Sequence, residues 1–164
     1  MNSTEPQTLN DFLYLFIQPC SGLPENKVVE AYNKNPRPSK PFADYHVLRP
    51  DTIGTGIVTD LDEDGVQTTD IQKIAEVQVN FYGEESAELA MAFVNRYELE
   101  SSLIRGEELN LGLLGTPQIV DTSTPIAETY ERRYSVRLRV SFNQEVKEHV
   151  GLIEHVDIQG EFSH

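Results

Sequence analysis

The chain has one cysteine, no tryptophan and two methionines in 164 residues. A single cysteine excludes a disulfide framework and any cysteine-rich zinc site, and it fits a reducing compartment. Long hydrophobic runs are missing too. Near the N-terminus the longest, Phe12 to Ile17, is six residues with no basic residue before it. That is too short for the apolar region of a signal peptide or for a membrane span. Positive charge is scarce: 13 Lys and Arg stand against 27 Asp and Glu, a formal charge of −14. Such a chain repels a phosphate backbone on average, which counts against a general DNA- or RNA-binding protein. No nucleophile-elbow sequence, phosphate-binding loop or dinucleotide fingerprint occurs, and Gly54-Thr55-Gly56 lacks the third glycine and the following helix. What is present is a globular composition, 38% hydrophobic and 9% aromatic, at the length of one domain. A domain of this size buries roughly 70% of its unfolded surface and folds without a metal or disulfide. The expectation is a soluble, acidic, intracellularly made protein with one domain over 1–164.

The pattern along the chain sets the elements. In the segment 1–27, Thr8 can cap a helix with Asp11 in the capping-box position. Leu9, Phe12, Leu13, Phe16 and Ile17 then form one apolar face, with Pro19 as the expected stop and Gly22 and Pro24 in the turn. Val28 to Tyr32 is a short apolar piece leading to residues 33–41, where Pro36, Pro38 and Pro41 predict an extended arm that cannot pair inside a sheet. Phe42 to Val58 reads as strand material interrupted by Pro50 and by Gly54-Thr55-Gly56. The loop 60–70 opens on an acidic tip, Asp60-Leu61-Asp62-Glu63-Asp64-Gly65. In Ile71 to Tyr82, Val77, Val79 and Phe81 alternate with Glu76, Gln78 and Asn80, the sign of an antiparallel strand with one wet face.

Gly83 with Glu84 and Glu85 predicts the start of a second helix. Leu89, Ala90, Phe93, Val94 and Tyr97 are its buried stripe, and Arg105 and Gly106 its end. A short strand is expected around Gln118 to Asp121. The cleanest alternation in the chain is Tyr134, Val136, Leu138, Val140 and Phe142 against Ser135, Arg137, Arg139 and Ser141. Leu152, Val156 and Ile158 predict a last strand ending near Phe162. Helices around a strand-rich middle, without regular alternation of the two, argue for an α+β fold: a mixed or mainly antiparallel sheet with two helices packed on one face. Open edges of such a sheet are templates for another chain.

Few residues suggest catalysis. Asp60, Asp62 and Asp64 before Gly65 reproduce the first half of a calcium loop, but the twelfth position is Ile71 and neither flank reads as a helix. A solvated, self-repelling hairpin tip explains them better, so no metal is expected. His46, His149, His155 and His164 have no ligand spacing, and Cys20 at a helix end has the wrong polarity for an activated thiol. No enzyme activity and no cofactor are expected. Two basic features stand out against the acidic background. Lys34, Arg37 and Lys40 flank the prolines, while Arg132, Arg133, Arg137 and Arg139 put four arginines in eight residues. Surface pairing with nearby Glu explains these as well as a basic patch meeting an acidic patch on the next copy of a head-to-tail ring.

Several of these segments together resemble the phage neck-terminator (tail-terminator or tail-completion) proteins. Val28-Val29-x-Ala31-Tyr32-Asn33 running into Asn35-Pro36-Arg37-Pro38-Ser39 and Pro41 is similar to the segment that leads into that family's first long strand. Val77-Gln78-Val79-x-Phe81-Tyr82-Gly83 passing into an Ala-rich helix resembles its central strand–helix unit, and Glu131-Arg132-Arg133 its Glu-Arg motif. Arg133 stands where that motif would have Ala, and the acidic tip at 60–65 has no counterpart. The resemblance spans roughly residues 28 to 160. It implies a structural virion protein at the tail–neck junction, assembled in the bacterial host cytoplasm. Six copies would form a ring that caps the tail tube, joins it to the neck and leaves a channel through which genomic DNA passes without specific binding. The implied partners are the same chain, the tail-tube protein, neck and connector proteins and a sheath protein, with no membrane. Interface residues would be Pro36, Arg37, Pro38, Pro41, Arg132, Arg133, Arg137 and Arg139. The alternatives are a stopper or adaptor elsewhere in the connector, a tube-like subunit that polymerises without limit, or a calcium-dependent binding module built on the acidic tip.

Overall fold

The computed structural model describes residues 8–151. The strand expected from Leu152 to Phe162, with His155 and His164, lies outside the described residues. In chain order the elements are α1 (Leu9–Ser21), β1 (Val28–Glu30), β2 (Phe42–Thr52), β3 (Ile57–Val58), β4 (Val66–Tyr82), α2 (Ser86–Tyr97), α3 (Glu100–Glu108), β5 (Gly112–Asp121), β6 (Thr124–Ile126), β7 (Thr129–Glu131) and β8 (Arg133–His149).

The capping box at α1 is complete. Thr8 Oγ1 accepts from the Asp11 N–H at 3.2 Å, and the Asp11 carboxylate accepts from the Thr8 N–H at 3.0 Å. Leu13, Phe16, Ile17 and Cys20 are buried on the expected face. Pro19 does not stop the helix, which runs on to Ser21. A proline in the last turn forfeits one late hydrogen bond, and the chain leaves only at Gly22, whose φ of 72° is left-handed. The helix has no basic residue in its last turn; Arg96 of α2 supplies one, donating from Nη1 to the Cys20 carbonyl at 3.3 Å.

The main sheet has six strands in the order β1-β2-β4-β8-β5, with β3 continuing the β2 side of β4. Only β1 and β2 are parallel; the other pairs are antiparallel, so the sheet is mixed. β4 and β8 pair without a break from Val66↔His149 to Tyr82↔Arg133, a ladder roughly 55 Å long at about 3.4 Å per residue. Both strands are longer than the alternation alone indicates. Pro50 does not interrupt β2: it lies opposite Ala75 where β1 has already ended, so its missing N–H faces no partner strand. β6 and β7 form a separate small hairpin.

The fold is α+β as expected, with the second helical region divided in two. Leu99 takes an extended conformation (φ −72°, ψ 147°), and α3 starts afresh after it. Ser102 Oγ donates back to the Arg96 carbonyl at 2.5 Å across that joint. Gly106 is therefore buried inside α3 and is not a terminal cap. Ala90, Phe93 and Tyr97 of α2 meet Val77, Val79 and Phe81 of β4 and Val136, Leu138 and Val140 of β8 in one core, with α1 beside them. Among the described residues the opposite face of the sheet carries no helix.

Candidate interaction surface

The arm from Asn33 to Pro41 lies at the end of the sheet where β4 finishes and β8 begins. Asn33 starts it: its side-chain amide donates to the Glu30 carbonyl at 2.8 Å, and its Oδ1 accepts from the Asn35 N–H at 3.0 Å. Lys27 Nζ donates to both the carbonyl and the hydroxyl of Ser39 at 2.6 Å. The Lys40–Pro41 peptide is cis. Phe42 and Tyr82 are register partners whose rings stack 4.5 Å apart and 9° from parallel. The Arg37 guanidinium covers both rings, 4.7 Å from the Tyr82 centroid and 5.1 Å from Phe42, and Arg133 approaches Tyr82 at 5.8 Å. Glu131 Oε1 accepts from Arg37 at 3.4 Å and pairs with Lys40 at 3.3 Å, with its own side chain 11% exposed. A guanidinium over aromatic rings contributes about 0.5–2 kcal/mol per contact, so the arm is fastened as well as stiff.

Beside this clasp a polar ladder crosses the helix-free face. Tyr82 Oη donates to Asp44 Oδ2 at 2.9 Å, Asn80 Nδ2 to Asp44 Oδ1 at 2.7 Å, and Ser135 Oγ to Asn80 Oδ1 at 2.6 Å. Thr122 Oγ1 lies 2.8 Å from Ser135 Oγ, and Arg133 Nε donates to the Thr122 carbonyl at 3.2 Å. Asn80 and Ser135 are buried although they sit at the wet parity of their strands. Burial pushes the Tyr82 phenol above its ordinary pKa, and the Asp44 carboxylate adds to the effect. Between arm and sheet lies an open hollow of about 530 Å³ whose lining includes Glu30, Tyr32, Asp44 and His46. The Tyr32 ring meets His46 edge-on at 5.4 Å. His46 Nδ1 is buried without a hydrogen-bond partner among the described residues.

The fastened arm and the connected polar strip thus lie side by side at one end of the sheet. A family model described as phage neck terminator protein matches residues 7–164. The chain belongs to that family. No curated protein matches it. This neck terminator is accordingly a structural protein of the phage neck, and its described residues include no helix long and apolar enough to cross a membrane.

The basic residues of the terminator separate into two sets. Arg37, Lys40 and Arg133 are engaged in the clasp, and Arg132 Nε pairs with Glu84 Oε2 at 3.6 Å between two exposed side chains, a pair of little energetic weight. Arg137 and Arg139 point away from the core on β8, exposed and with no ion pair among the described residues. Pro36 and Pro41 are exposed and Pro38 half-buried.

The acidic tip is a turn held by its own carboxylate. Asp62 Oδ1 accepts from the N–H groups of Asp64 and Val66 at 2.9 and 2.8 Å. No group of acids, histidines or cysteines able to hold a metal occurs among the described residues. Cys20 is buried against Ser102 (3.7 Å), and burial raises its thiol pKa. The Phe42–Tyr82 sandwich and the Asp44–Asn80–Ser135 ladder were not anticipated from sequence. The available signal was Tyr82, an aromatic continuing the wet series Gln78, Asn80.

Proposed function

We propose that this neck terminator works by self-association: six copies close a ring on the end of the finished tail tube, stop its growth and join it to the neck and connector proteins, leaving an open channel for DNA. The observation that carries this reading is the family match over nearly the whole chain. The strongly acidic composition supports it, because a bore lined by subunits of −14 each lets a phosphate backbone slide without sticking. The clasped arm supports it as well. Pro36, Pro38 and Pro41, held by Arg37, Lys40 and Glu131, make a pre-ordered docking element that loses little entropy on binding. Arg132, Arg133, Arg137 and Arg139 form the second contact, with Arg137 and Arg139 the ones free to engage a neighbour. Neither contact needs a cofactor, metal or turnover.

The test is tube length. Tail-tube protein polymerised with the purified chain should give tubes capped at one end by closed rings in electron micrographs, with growth arrested. Tubes of unrestricted length with bare ends would reject the reading, and incorporation of the chain along the tube wall would favour a tube-like subunit.

A further inference from the structure

Arg137 and Arg139 of β8 are exposed with no ion pair among the described residues, and the opposite layer of the same molecule is acidic and partly apolar. Residues 84–108 contain seven glutamates and two arginines, and one of those arginines, Arg96, is drawn inward to the end of α1. α3 buries only Ser102 and Gly106. Its other side exposes Leu99 (53%), Leu103 (48%) and Ile104 (49%), and Glu100, Glu107 and Glu108 are exposed with them. Leu99, Leu103 and Glu107 follow one another at four-residue spacing, as do Glu100, Ile104 and Glu108, so they form two adjacent ridges. A cluster of three large apolar residues in a carboxylate rim has the anatomy of an interface, apolar at the centre and charged at the edge.

The complementary strip lies across the sheet. From Arg132 to Gln144 the chain carries four arginines and no acid. On the helix-free face Arg139 stands opposite Leu114 of β5, and Val120, 42% exposed, stands opposite Ser135 in the same row system. Arg137 lies between these rows. Apolar side chains and two arginines without an ion pair among the described residues, Arg137 and Arg139, are thus interleaved where the other layer offers apolar side chains and carboxylates.

We infer that the α3 face of one copy docks on the Arg137–Arg139 strip of β8 and β5 of the next. The inference rests on the ring reading and supplies its subunit contact. The two surfaces belong to opposite layers of one domain, so the contact is heterologous and repeats by rotation until the ring closes. Charge complementarity fixes the register of docking and accelerates it.

The experiment uses the full-length protein in sedimentation velocity, alone and with tail tubes. Four forms are compared: the natural chain, Arg137→Glu with Arg139→Glu, Glu100→Arg with Glu107→Arg, and all four changes combined. All are surface positions, and circular dichroism verifies the fold. Each pair of reversals should weaken association at least about tenfold, and the combination should restore it because opposite charges face each other again. A ring that survives either pair overturns the inference, as does a four-fold variant that stays dissociated. Rings that persist in the paired variants but no longer bind tubes also overturn it, and assign these surfaces to a tube or neck protein. A natural chain that forms no ring, alone or on tubes, defeats the ring reading itself.

Discussion

The two halves of the β4–β8 ladder share one continuous register but little else. From Ala75 to Tyr82, opposite Arg133 to Val140, the helix-side residues Ala75, Val77, Val79, Phe81, Val136, Leu138 and Val140 are sealed beneath α1 and α2. From Val66 to Lys73, opposite Phe142 to His149, the same backbone pairing continues past Phe142 at the margin of the core, and β8 is exposed from Asn143 to His149. Backbone pairing is common to both halves, whereas burial belongs to one. The first half therefore provides stability, and the second is a ribbon that ends in the exposed acidic turn.

Substitutions can break this contrast, beginning with the largest effect. Phe81→Ala opens a cavity against Phe93, whose ring lies 5.7 Å away, and should cost about 3–5 kcal/mol in denaturant unfolding. Val146→Ala in the ribbon should cost less than about 0.5 kcal/mol. Comparable losses at the two sites would refute the division. The polar ladder gives a smaller, sharper comparison: Asn80→Ala leaves Asp44 and Ser135 short of partners and should cost about 1–3 kcal/mol, whereas Gln72→Ala, on the same face of β4 but in the ribbon, should be close to neutral. The ribbon has one expected exception. Gly65 has φ +75°, and an added Cβ would lie 2.9 Å from the Gly151 carbonyl carbon; Gly65→Ala should cost about 1–2 kcal/mol, read as a lowered unfolding midpoint.

The smallest effect concerns Tyr97, whose phenol is pushed up to about 12 by burial and has no hydrogen-bond partner among the described residues. The folded state holds this proton more tightly than the unfolded state. Its contribution is therefore full below about pH 10, where the unfolded phenol begins to ionise, and is lost as pH rises towards 12. Tyr97→Phe should be near neutral or slightly stabilising at pH 7 and should flatten the alkaline decline in melting temperature over that window. An unchanged decline would assign it to other groups.

Much of the helix-backed half was legible in the sequence, because burial imposes period: the α1 face, the alternation in β4 and β8, and the α2 stripe all follow from it. The capping box at Thr8 and Asp11 was legible because it is local chemistry. Pro19 and Pro50 misled, each for a local reason. A proline ends an element where the loss of its N–H cannot be borne: Pro50 lies where no partner strand faces it, and Pro19 forfeits a single bond in a last turn that ends two residues later. The division at Leu99 carries no Gly or Pro signal, since it arises from the way α3 turns back onto the core through Ser102. The candidate surface was half visible. Its prolines and arginines stand out in a −14 chain, but which arginines are spent on Glu131, Tyr82 and Thr122, and which remain free, depends on contacts between residues up to 94 positions apart.

The most direct measurement is the mass of the purified chain in solution, alone and after mixing with its tail tube. A closed assembly of six copies, formed alone or on the tube end, that does not grow as concentration rises is the expected result. A monomer under both conditions, or an assembly that lengthens without limit, would contradict it.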